Sequence, residues 1–331
     1  WLRGVDTALF AVVNDDNAAQ TAPPCTALAA AIKTHVSRVY WAAPFYSGGG
    51  YCSEAHDIVS GLLKCGVDVK MFQHGDSYNR PYMARLGQDK IRELSALTVH
   101  SLPTSKNPPV ICVCHSEPGA WSVPQPHYRT GDCPTAGCTI RVGRTMFETD
   151  RIPEGWAQRL NAMDEVWVPT EFQRQVFVEG GVDVAKLQVV GESVDVDFFN
   201  PEAVTALEPP EELLQQTDFE FSDNTVVFLS IFKWEARKAP ELLIEAFCSA
   251  FRASDDVVLL ILTSNYHSNT QHRHQVELIR RQFAQAKGLR AHEMPRILVL
   301  DENVPQVRAS TCDLYKFLPL CSVHSKDSVC K

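Results

Sequence analysis

The chain has 331 residues, enough for two domains of ordinary size, each with its own core. Its make-up, 45% hydrophobic and 21% charged, is that of a soluble globular protein. A net charge of −9 argues against a nucleic-acid partner, and no apolar run approaches the roughly 20 residues of a membrane helix.

Residues 1–36 are Ala-rich and weakly patterned. From Arg38 onward strands and helices alternate: strand 39–43, helix 52–64, strand 67–72, helix 82–96 and a strongly apolar strand 110–114. Strand 139–142, helix 154–162, strand 165–168, helix 171–178 and strand 187–190 follow. Residues 201–224, with Pro201, Pro209, Pro210 and several acidic side chains, read as a connector. It separates a first domain over 37–200 from a second over 225–316. There a buried strand 226–232 leads to helix 240–252, strand 257–262, helix 275–287, strand 297–300 and a short helix around 305–316. Such alternation predicts an α/β protein with mostly parallel sheets covered on both faces, the second only half complete. Residues 317–331 lack periodicity and read as an unrelated tail.

Eleven cysteines show no zinc-ligand spacing, and no metal site is expected. Cys112 and Cys114 within a strand, and Cys65 and Cys248 within helices, read as buried free thiols. Cys133 and Cys138 bracket a Pro-Thr-Ala-Gly loop and form the best candidate disulfide. The odd count and the lack of a glycosylation sequon favour a reducing, cytoplasmic compartment. His267, His272 and His274 read as a polar helix start, because positions two apart fall on different helix faces.

Three strand ends carry candidate chemistry. After strand 226–232 come Lys233, Arg237 and Lys238, clustered where a strand hands over to a helix N-terminus. Free N–H groups and the helix dipole favour anions there, so the cluster is either a polyphosphate site or a set of surface charges. After strand 39–43, Gly48, Gly49 and Gly50 lead directly into a helix; the run is either a tight turn or a backbone surface that a phosphate or sugar approaches closely. Strand 110–114 runs into His115 and Glu117, able to hydrogen-bond a sugar or phosphate, or simply a polar loop. Arg141, Arg144, Glu148, Asp150 and Arg151 surround a further strand end, as an acceptor site or a solvated ion-pair cluster.

Together these pieces resemble the retaining glycosyltransferases of the GT-B fold, in the large group that includes sucrose synthases and bacterial mannosyltransferases. Gly49, Gly50 and Gly66 match the group's glycine spacing, and Val166 to Thr170 and Gly191 to Phe199 occupy the places that close its N-terminal half. Gly143 to Asp150 and Met163 to Trp167 resemble one eukaryotic-type branch. The resemblance, over 38–316, implies two Rossmann-like domains facing a cleft. It further implies transfer of a hexosyl group from a nucleotide-diphosphate sugar to an unidentified acceptor with retention, without metal or other cofactor. Lys233 and Lys238 match the group's five-residue spacing of diphosphate-binding cations, with Lys233 replacing the usual Arg and Ala239 replacing a frequent Gly. By the same resemblance His115, Lys233 and Lys238 are the expected catalytic residues. Gly48, Gly49, Gly50 and Arg237 join the two lysines in donor binding, and Glu117, Arg144 and Glu148 bind substrate. The group's Glu-x7-Glu motif has no counterpart after Lys316, which leaves a non-catalytic ligand-binding chain as the alternative. A nicotinamide-dependent dehydrogenase lacks support, since no strand runs into Gly-x-Gly-x-x-Gly.

Overall fold

The computed structural model describes residues 25–121, 133–194, 221–222, 224–265 and 271–300. The chain divides into two compact units, Trp1–Asp195 and Val196–Lys331. The expected helix 305–316, the tail 317–331, His267, most of the connector and the stretch from Asp195 to Phe199 lie outside the described residues.

The first unit is a six-stranded parallel sheet in the order β2-β1-β3-β4-β5-β6. Its strands are β1 (Arg38–Ala43), β2 (Val69–Gln73), β3 (Val110–His115), β4 (Ile140–Arg144), β5 (Glu165–Val168) and β6 (Leu187–Val189). The helices are α1 (Cys25–His35), α2 (Gly50–Lys64), α3 (Arg80–Leu97), α4 (Trp156–Asn161) and α5 (Glu171–Glu179). Helix α1 falls in the stretch expected to be unpatterned.

Local sequence accounts for these boundaries. Helix α2 ends where Gly66 takes φ 79° and its N–H bonds the Leu63 carbonyl. Asn79 caps α3 by accepting from the Tyr82 N–H, and Thr170 caps α5 by accepting from that of Gln173. Strand alternation then fills both faces. Val39, Trp41 and Ala43 of β1 join Ala55 and Val59 of α2 in one core cluster. Ala42 and Cys114 join Trp156 and Leu160 of α4 and Val176 and Phe177 of α5 in another.

The second unit is a three-stranded parallel sheet, β7 (Val226–Trp234), β8 (Val257–Asn265) and β9 (Arg296–Leu300), in sequential order. Helices α6 (Pro240–Ala250) and α7 (His272–Lys287) share one face of it, with Ile244, Phe247, Val276 and Ile279 packed on Val257, Leu259 and Ile261. Strand β7 departs from expectation. It is the edge of the sheet among the described residues, and Val226, Phe228 and Ile231 are exposed instead of buried.

The cysteines also depart from expectation. Cys112 and Cys114 are bridged to Cys138 and Cys133 respectively, and Cys65 is bridged to Cys25. The period of a strand explains the pairing: residues 112 and 114 share one face of β3. The short Cys133–Cys138 segment turns back on itself through a bond from the Cys138 N–H to the Thr135 carbonyl, so it is bridged outward to β3 rather than internally. Cys248 is a buried free thiol, as is Cys52. Three bridges overturn the reading of Cys65, Cys112 and Cys114 as free thiols, which was one ground for expecting a reducing compartment.

Candidate active site

In the first sheet the chain moves from β1 to β2 on one side and returns to β3 on the other, so the topological switch lies between β1 and β3. In doubly wound sheets ligands bind in the crevice at the carboxyl ends flanking that switch. Strand β1 ends in the turn carrying Gly48, Gly49 and Gly50, and β3 ends at His115 and leads to Glu117. The topology thus brings together two motifs 65 residues apart (Gly50 to His115) in the sequence.

Each glycine meets a different constraint. Gly48 has φ 72°, and a Cβ there would lie 2.9 Å from the Tyr82 ring. Gly49 precedes α2 without a side-chain cap, and the first turn of α2 has no acidic residue. A Cβ on Gly50 would meet nothing within 4 Å, so this end of the helix is open to an incoming ligand.

Behind the turn lies a buried polar network. His115 and Arg144, partners in the β3–β4 register, both have 0% exposure. The Trp41 indole N–H donates to His115 Nδ1 at 3.0 Å, and His115 Nε2 lies 2.9 Å from Glu54 Oε2. An indole only donates, so Nδ1 carries the lone pair and Nε2 carries the proton given to Glu54. Burial, ahead of the opposing pull of Glu54, keeps the ring neutral by lowering its pKa. Arg144 donates through Nε to Glu54 Oε1 at 2.9 Å, through Nη2 to the same oxygen, and through Nη1 to the Val190 carbonyl. Burial would raise the Glu54 pKa, but the His115 hydrogen bond and the Arg144 charge hold it below the usual range. The Tyr51 hydroxyl donates to the Met146 carbonyl at 2.7 Å and tightens the same corner.

Two expected roles change as a result. Arg144 does not bind substrate here, because its guanidinium is sealed against Glu54 and the Val190 carbonyl. His115 stands at the expected strand end, but both ring nitrogens are engaged within the protein. Glu117 and Glu148 are exposed residues; partial desolvation of the Glu117 carboxyl, then the charges of Asp76 and Glu148, raise its pKa. Arg141 pairs with Asp164 and Arg151 with Asp150, as solvated ion pairs would. Glu54, the centre of the network, was not singled out from sequence. Its only signal is that it falls three residues after Tyr51 and four before Ile58, on a partly buried stripe of α2.

In the second unit Lys233 occupies the penultimate position of β7 and is exposed. Arg237 and Lys238 lie in a 3-10 turn at Ala236–Lys238, with Arg237 Nη2 2.9 Å from Glu235 Oε1. Ala239 then adopts φ 50°, ψ 53°, the only non-glycine with positive φ among the described residues, and α6 starts at Pro240. The backbone here demands the left-handed conformation that glycine adopts freely.

Among solved structures, the E. coli trehalose-6-phosphate synthase bound with UDP-2-fluoro glucose matches with a TM-score of 0.50. The identity is 14%, over 85% of this chain and 76% of that one. The chain has the GT-B fold. A glycosyltransferase from Rickettsia africae matches the GT-B chain with a TM-score of 0.49, at 14% identity over 86% of this chain and 71% of that one. Anabaena Alr3699/HepE in complex with UDP matches with a TM-score of 0.43, at 13% identity over 83% and 72%. No family model matches the sequence, and no curated protein is significantly similar to it.

Proposed function

We propose that this GT-B chain transfers a hexosyl group from a nucleoside-diphosphate sugar to an acceptor hydroxyl, with retention at the anomeric carbon and no metal or other cofactor. The observation that carries the reading is the β7–α6 turn, where Lys233, Arg237 and Lys238 gather at a helix N-terminus whose entry is a left-handed residue. In transfer the bond between anomeric carbon and diphosphate oxygen breaks, and a bond to the acceptor oxygen forms. The acceptor proton leaves with the diphosphate. Lys233 and Lys238 stabilise the charge growing on that diphosphate. Within the first unit, the open end of α2 at Gly50 is by itself a place that favours an anion. Glu117 and Glu148 accept hydrogen bonds from substrate hydroxyls. His115 stands at the end of β3 with its nitrogens engaged by Trp41 and Glu54, and so holds the strand end in place.

The E. coli relative was captured with UDP-2-fluoro glucose, which supports a uridine nucleotide as the first donor to try. The test incubates the full chain with UDP-, GDP- and ADP-hexoses, measures nucleoside diphosphate release, and reads the anomer of the product by proton NMR. Release that falls at least tenfold in Lys238→Ala, with a retained anomer, supports the reading. An inverted anomer refutes retention, and release unaffected by both Lys233→Ala and Lys238→Ala refutes the assigned turn.

A further inference from the structure

We propose that Glu54 is the positioning residue of the candidate site, the carboxylate that ties α2 to the ends of β3 and β4 and fixes the hydrogen-bonding form of His115. This rests on the nucleotide-sugar reading for its consequence but not for its geometry.

The argument is one of donors and acceptors. Glu54 receives donors from two sides: His115 on Oε2, and two nitrogens of Arg144 on Oε1. Both donors are fully buried, so neither is compensated by water. A carboxylate accepts on both oxygens, whereas an amide accepts on one and donates from the other. If Gln stood at 54 and gave its oxygen to Arg144, its NH2 would face a His115 Nε2 that already carries a proton. Moving that proton to Nδ1 would set it against the Trp41 N–H. Only a carboxylate satisfies Trp41, His115 and Arg144 together.

The location gives this chemistry its consequence. Glu54 sits one turn into α2, four residues after Gly50, so the same side chain that holds two strand ends also holds the helix whose open end faces the crevice. Tyr51, on the first turn, is fixed to the Met146 backbone from both sides, donating to its carbonyl and accepting its N–H at 3.2 Å. Helix, glycine turn and β4 end are therefore tied together, and Glu54 is the charged bond among them.

The experiment compares wild type, Glu54→Gln and Glu54→Asp in the full chain. Nitrogen-15 NMR of the imidazoles, with His115 assigned from His115→Gln, reads the tautomer. Titration with UDP, GDP and ADP in turn reads binding. Wild type should show His115 as a single neutral Nε2–H ring. Glu54→Gln should lose that signature and weaken diphosphate binding at least tenfold while remaining folded. Glu54→Asp, which keeps both acceptor oxygens, should restore part of each. Unchanged His115 signals and unchanged binding in Glu54→Gln would overturn the proposal. Should wild type bind no nucleoside diphosphate, the nucleotide reading falls. The positioning role is then judged on the His115 signals together with amide exchange at Gly50–Cys52, which should quicken in Glu54→Gln and would not if the role were wrong. If Glu54→Gln fails to fold, the same readouts on Glu54→Asp decide: a His115 ring unchanged from wild type, with unchanged binding, would overturn the proposal.

Discussion

Two of the disulfides are nested, and their joint removal has a size that follows from loop lengths. Cys112–Cys138 spans 26 residues and Cys114–Cys133 spans 19 within it. Closing the outer loop alone removes unfolded-chain entropy worth about 3.5 kcal/mol. With the outer bridge in place, the inner one closes only the seven residues by which the two separations differ, worth about 2.3 kcal/mol. Together they contribute about 6 kcal/mol. Either bridge on its own retains over half of this, so replacing one pair by serines should cost about 2–3 kcal/mol. Replacing both pairs should cost about 6 kcal/mol, more than the two single losses combined. For a unit of this size that means melting temperatures lower by about 5–10 °C and 12–24 °C. Thermal and urea unfolding of the three variants measure these values. Cys248→Ser, at a buried free thiol, gives the cost of a buried hydroxyl without a released loop. The reasoning fails if the paired variants lose no more than Cys248→Ser. It fails equally if alkylation of unfolded, unreduced protein labels Cys112 or Cys114.

Other outcomes follow from single sites. Ala239→Gly relieves a left-handed alanine and should stabilise the chain by about 0.5–1 kcal/mol in urea unfolding, the strain released outweighing the added unfolded-chain freedom; a loss of stability would contradict the backbone geometry. Gly48→Ala, with its φ of 72° and the Tyr82 ring at 2.9 Å, should lose about 1–3 kcal/mol. Gly50→Ala should melt within about 1 °C of wild type, yet weaken nucleotide binding several-fold, because its methyl enters space left open to ligand. The His115 ring has a folded pKa below its ordinary 6.5, so the unfolded chain binds the extra proton first. Its contribution to stability is complete above that pH and declines below it, by at most about 1.4 kcal/mol per pH unit. Urea unfolding from pH 7.5 to 5 should show this slope in wild type and a shallower one in His115→Gln; equal slopes would show that the ring does not titrate as described.

The alternation of strands and helices was legible because each apolar run matches one period and each boundary carries local chemistry, such as Thr170 at the start of α5 and Gly66 after α2. Ala239 was legible as a place that wants glycine, and its backbone is left-handed. What escaped reading depends on contacts across the sheet. A carboxylate on the second turn of a helix looks like any surface Glu until Arg144 and His115 arrive from two other strands. Arg144 looked like a ligand-binding cation for the same reason, since local sequence does not reveal that its partner is 90 residues away. The cysteines misled because residues 112 and 114 alternate with apolar neighbours, as buried thiols would, and the pairing loop returns only after 19 to 26 residues. Strand β7 is as apolar as a central strand and still lies at an edge of its sheet among the described residues.

The central claim, that this GT-B chain holds a nucleoside diphosphate at the β7–α6 turn, is tested most directly by calorimetric titration of wild type and the Lys233→Ala/Lys238→Ala double variant with UDP, GDP and ADP. The account predicts that at least one diphosphate binds wild type with a Kd below about 1 mM, in the usual range of enzyme substrates. It also predicts that the double variant binds that nucleotide at least tenfold more weakly with an unchanged melting temperature. Equal binding by both proteins, or none by wild type to any of the three, would contradict it.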